Sequence, residues 1–103
     1  VLEKRLQTLI KKYLKSEGIV AYKVDSTSGR GMPDLLCVGY GVVFFMEVKT
    51  AKGVVSRLQE IRHEELMAHG AHVYVARNLD DVKEIVRELY EANEDYRLNT
   101  RTE

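Results

Sequence analysis

Two short clusters in adjoining segments decide what chemistry this chain can do: Met32-Pro33-Asp34 opens one apolar run, and Glu47-Val48-Lys49 closes the next. Charged side chains seldom sit at the ends of core segments unless they are paired or bound to a metal. Residues two apart on a strand share a face, so Glu47 and Lys49 project together while Phe44, Met46 and Val48 project the other way. If Gly39-Tyr40-Gly41 turns the chain tightly, Asp34 comes to lie across from Glu47. Hard divalent cations such as Mg²⁺ are commonly held by one or two carboxylates plus water and substrate phosphate, and the Val48 main-chain carbonyl could add an oxygen. A cation there acidifies bound water and neutralises phosphate charge, while Lys49 can orient that water and stabilise charge developing in the transition state. Gln59 has two compatible roles, as capping-box partner of Ser56 and as a group reaching toward the water or phosphate. The bland alternative is a solvated strand face in which Glu47 pairs with Lys49 and Asp34 only makes a turn.

The elements that must position these residues follow from periodicity. Leu2, Leu6, Leu9, Ile10, Tyr13 and Leu14 recur at helical spacing, giving an amphipathic helix over 2–16 with a basic face of Lys4, Lys11, Lys12 and Lys15. A strand over 19–24 and a turn-forming stretch over 26–31 deliver the chain to Pro33-Asp34. Strands over 34–38 and 42–48 form a hairpin, and a capped helix runs from Ser56 to about His69. A strand over 71–76 is reached by a parallel crossover, and Asn78 caps a last helix with a stripe of Leu79, Val82, Ile85, Val86, Leu89 and Tyr90. The order is α-β-β-β-α-β-α: an α/β protein with a mixed four-stranded sheet flanked by helices.

At 103 residues the chain fits one domain, over 1–92 with a polar tail at 93–103, so whatever it binds it binds with the fold itself. No stretch approaches a membrane span, charges interrupt the first residues where a signal peptide would be apolar, and the lone Cys37 reads as a buried thiol. A cytoplasmic protein is expected. The net charge of zero hides an asymmetry, for residues 1–62 carry 11 Lys and Arg against 6 Asp and Glu, whereas 63–103 carry 5 against 10. A polyanion would be drawn to the first part. Phosphate contacts are expected from Arg30, Lys52 and Arg57 beside the site and from Lys11 and Lys12 on the first helix. His63, His69 and His72 lack the spacing of a zinc site, and Tyr22, Phe44, Phe45 and Tyr74 read as core.

Gly31-Met32-Pro33-Asp34, Phe45-Met46-Glu47-Val48-Lys49, Ser56-Arg57-Leu58-Gln59 and Gly70-Ala71-His72-Val73-Tyr74-Val75 together resemble the successive motifs of the virus-type replication-repair nuclease (VRR-Nuc) domain. That domain is a minimal branch of the PD-(D/E)xK nuclease superfamily, with a restriction-endonuclease-like core. Spanning about residues 1–78, the resemblance implies Mg²⁺ or Mn²⁺ dependence and cleavage of branched DNA, four-way junction or flap. By position it implies Asp34 and Glu47 as metal ligands, Lys49 as catalytic lysine and Gln59 as motif glutamine. Glu3 matches a first-helix glutamate, although Gln7 stands where some members carry the acid. Stand-alone members of this size from phage or prophage are expected to be homodimers akin to Holliday junction resolvases. The rivals are a monomeric flap or nicking nuclease and a non-catalytic nucleic-acid-binding module.

Overall fold

The computed structural model describes residues 2–25, 27 and 29–93; Val1, Ser26, Ser28 and the tail at 94–103 lie outside it. Its elements are α1 (Leu2–Ser16), β1 (Val20–Lys23), β2 (Leu35–Gly39), β3 (Val42–Val48), α2 (Arg57–Ala68), β4 (His72–Ala76) and α3 (Leu79–Ala92), in the expected order. They build a four-stranded sheet ordered β1-β2-β3-β4, with antiparallel β1–β2 and β2–β3 pairs and a parallel β3–β4 pair. The parallel pair is possible because α2 spans the crossover.

Local chemistry explains the joints. Gly39 pairs directly with Val42, leaving Tyr40 and Gly41 as a two-residue turn with φ of 55° and 77°. That doubly left-handed geometry matches strand twist, and the Tyr40 hydroxyl donates to the Glu17 carbonyl at 2.7 Å, so the strained tyrosine is anchored. Ser56 Oγ accepts from the Gln59 amide at 3.1 Å and Gln59 Oε1 accepts from the Ser56 amide at 2.9 Å, a complete capping box. The Asn78 side chain accepts from the Asp81 amide and starts α3.

One hydrophobic core lies between the sheet and the α1/α3 pair. Ile10 and Leu14 from α1 and Val82, Ile85, Val86 and Leu89 from α3 pack on Leu35, Cys37, Phe44, Met46, Val48 and Ala76. Burial pushes the Cys37 thiol up to about 12, which makes it an inert core residue. Leu2 and Leu9, expected in the buried stripe, are exposed, because α1 meets the sheet along the narrower line of Leu6, Ile10, Tyr13 and Leu14. Tyr22 also departs from expectation: it is 62% exposed. It belongs to the opposite sheet face, where the exposed Val20, Val38 and Val43 lie in register with one another. Phe44 is fully buried and Tyr74 packs edge-on against it at 5.7 Å, as core aromatics should.

Candidate active site

Because Leu35 pairs with Met46, one further step along the ladder sets Asp34 beside Glu47. Pro33, fully buried, fixes the approach, and the Val24 amide donates to the Asp34 carbonyl, so the first two strands also close around this point. The Val48 amide donates to Asp34 Oδ2 at 2.7 Å. Val48 thus enters the site through its N–H, which locks one carboxylate to the strand that carries the other.

Glu47 is 0% exposed although it faces away from the apolar core. Its Oε1 lies 3.1 Å from His63 Nε2, and its Oε2 lies 3.3 Å from the donor Gln59 Nε2 and 3.8 Å from Lys49 Nζ. The two roles foreseen for Gln59 are filled at once, since its carbonyl oxygen completes the cap while its amide nitrogen reaches Glu47. Glu3, half-exposed in the first turn of α1, approaches Lys49 Nζ at 4.0 Å. Glu3 therefore reaches the edge of the same constellation.

Electrostatically the site is short of positive charge. Two carboxylates, Glu3 and Glu47, approach the ammonium of Lys49 within 4.0 Å, and a third, Asp34, lies beside Glu47. Burial first, then a hydrogen bond and charge repulsion from Asp34, push Glu47 up to about 8, against a downward pull from Lys49. His63 is lowered, chiefly by burial, and is neutral near pH 7. Among the described residues no three His, Cys, Asp or Glu side chains converge as a metal cluster. Two carboxylates suffice for a hard cation that keeps water and phosphate in its remaining positions, and a cation bound there would displace the proton that burial and Asp34 keep on Glu47.

Of these groups, Asp34, Lys49 and Gln59 line an open cleft of about 990 Å³, with Lys23 and Arg30 also in its wall and Glu47 buried just behind it. Gly31 is required in this wall: its φ is 79°, and a Cβ there would fall 2.7 Å from the Leu58 carbonyl oxygen. Of the other expected phosphate contacts, Lys11 and Lys12 are exposed on α1, Lys52 on the loop after Lys49 and Arg57 at the start of α2; none of these four belongs to the cleft wall.

Four residues were missed by sequence reasoning. His63 could have been found, because it lies four residues beyond Gln59 and so on the same helix face. Lys23 lines the cleft from the end of β1. Arg62 Nε donates to the Arg30 carbonyl at 3.0 Å and ties the cleft loop to α2. Arg77 Nη1 donates to the carbonyls of Thr50 and Gly53 at 2.8 and 2.6 Å, holding the loop that leaves Lys49.

A sheet entered by a helix, with carboxylates at the adjoining ends of a hairpin and a lysine two residues beyond the second, defines a restriction-endonuclease-like α/β protein. The chain is similar to a solved structure described as a VRR_NUC domain, at 29% identity over 82% of this chain and 94% of that one, with a TM-score of 0.73. No family model and no curated protein matches it. The fold is thus that of a VRR-Nuc domain, as its motifs implied.

Proposed function

We propose that this chain is a Mg²⁺- or Mn²⁺-dependent, structure-specific DNA endonuclease that hydrolyses phosphodiester bonds in branched DNA, acting as a homodimer in the manner of a Holliday junction resolvase. One observation carries the reading: Asp34, Lys49 and Gln59, which line a cleft, converge on the buried Glu47 in a VRR-Nuc-type fold.

In this reading Asp34 and Glu47 hold the cation, which when bound supplies an acidified water and neutralises charge on the scissile phosphate. Lys49, tethered between Glu47 and Glu3, directs its ammonium at the attacking water and at the oxygens where charge develops. The Gln59 amide, fixed by its own helix cap, donates to Glu47 and closes that side of the site. Lys23 and Arg30 seat flanking phosphates, and the Arg62 bond keeps the Arg30 loop in place as they do so.

Support for the homodimer comes from the exposed sheet face, where Val20, Val38 and Val43 form a cross-strand apolar row with Tyr22 nearby. Phosphates have no use for such a surface, whereas an isologous contact would hold two sites at a fixed spacing. No helix among the described residues is long and apolar enough to cross a membrane.

The test is a gel assay on four-way junction, flap, duplex and single-stranded DNA, with Mn²⁺ and with chelator, alongside light scattering. Metal-dependent, paired cuts in the junction by a dimer are expected. Cuts confined to flaps by a monomer would replace the resolvase reading, and binding without any cut would overturn the nuclease reading altogether.

A further inference from the structure

Glu47 and His63 are the two buried polar or charged side chains of the described core, and they are bonded to each other. An imidazole 7% exposed is costly unless its nitrogens are satisfied, and nothing in the hydrolytic scheme above requires one here. Helix α2 has no broad apolar stripe to bury; His63 is its one buried residue, and it lies one turn beyond Gln59. On this side the helix thus brings two polar groups to a single carboxylate: the Gln59 amide donates to Oε2 and His63 Nε2 lies 3.1 Å from Oε1.

The terminal torsion of a glutamate is broad and two-fold, so a carboxylate held at one oxygen can still swing the other. With both oxygens engaged the plane is fixed, and Oε2 is left facing the cleft side occupied by Lys49 and Gln59. Resting on the assignment of Asp34 and Glu47 as the cation site, we propose that His63 is a positioning residue. It donates from Nε2 to Glu47 Oε1 and sets the carboxylate in the orientation that receives the metal. A space-filling role would require only bulk at this place; a positioning role requires a donor. Outer hydrogen bonds of this kind characteristically change metal affinity by ~10- to 100-fold.

The experiment compares wild type, His63→Ala, His63→Met and His63→Gln by calorimetric titration with Mn²⁺ alone, thermal melting, junction affinity in chelator and single-turnover cleavage. Glutamine restores an N–H donor, whereas methionine restores bulk without one. The expected result is Mn²⁺ affinity lowered ~10-fold or more in His63→Ala and His63→Met, largely recovered in His63→Gln, with cleavage at limiting Mn²⁺ following the same order and junction affinity in chelator unchanged. If His63→Ala does not fold, the Met and Gln variants alone decide the matter. Equal Mn²⁺ affinity in the Met and Gln variants overturns the positioning role and leaves the nuclease reading intact. A wild-type protein that takes up no Mn²⁺ overturns the site assignment, and this inference with it.

Discussion

On the sheet face turned toward α1 and α3, β3 contributes Phe44, Met46 and Val48, all fully buried among apolar neighbours; on the other face it contributes Glu47, equally buried, among His63, Gln59, Lys49 and Asp34. Equal burial has opposite energetic meaning in the two places. The first removes apolar area from water and stabilises the fold. The second desolvates a carboxylate beside another carboxylate, and the upward displacement of Glu47 registers the cost. One face holds the molecule together; the opposite one keeps a carboxyl that burial and Asp34 force to retain a proton.

Substitutions should separate the two faces cleanly. The largest effect is expected from Asp34→Ala and Glu47→Ala, which should reduce single-turnover cleavage at saturating Mg²⁺ to background while the melting temperature holds or rises. Substantial residual cleavage by either would break the comparison on the site side. Phe44→Ala, on the core side, should cost ~3–5 kcal/mol in denaturant unfolding, with whatever folded protein remains still cutting normally. Lys49→Ala should slow the chemical step by ~10²- to 10³-fold with junction affinity nearly unchanged, since one ammonium among many adds little binding but acts where charge develops. A matching loss of affinity would make Lys49 a phosphate anchor instead.

A smaller effect is expected from pH on the metal-free protein. The native state keeps a proton on Glu47 that the unfolded chain has released, from the ordinary carboxylate range up to about 8, so stability falls as pH rises through that window. His63 works in the other direction below its usual value, because the unfolded chain takes up a proton that the buried imidazole refuses. Above about pH 7.5, where the unfolded-state imidazole has lost most of its proton, the Glu47 contribution dominates, with a slope of at most ~1.4 kcal/mol per pH unit. Thermal or urea melts should show this decline in wild type, and saturating Mg²⁺ or Glu47→Gln should remove it. A flat profile in the metal-free wild type would contradict the account of the strained face.

Most of the fold was legible because each element carries its own local punctuation. Pro33-Asp34 marks a strand entry, Gly39-Tyr40-Gly41 a tight turn, Ser56 with Gln59 a capping box, and Asn78 a helix start. What was not legible depends on how elements pack. Period-two alternation shows that Tyr22 and Ala21 lie on opposite faces, but not which face a helix covers, and so Tyr22 was misplaced. His63 escaped because its meaning lies in the docking of α2 over β3, sixteen residues from Glu47. Arg62 and Arg77 escaped for a further reason: their acceptors are backbone carbonyls, which have no signature in a sequence.

The most direct test of the central claim, that Asp34 and Glu47 form one cation site, is anomalous diffraction from crystals soaked in Mn²⁺. The account predicts a manganese peak shared by the two carboxylates on the cleft side of Lys49 in wild type, and its loss in Asp34→Ala. Manganese bound elsewhere in the molecule, with Asp34 and Glu47 free of it, would contradict the account.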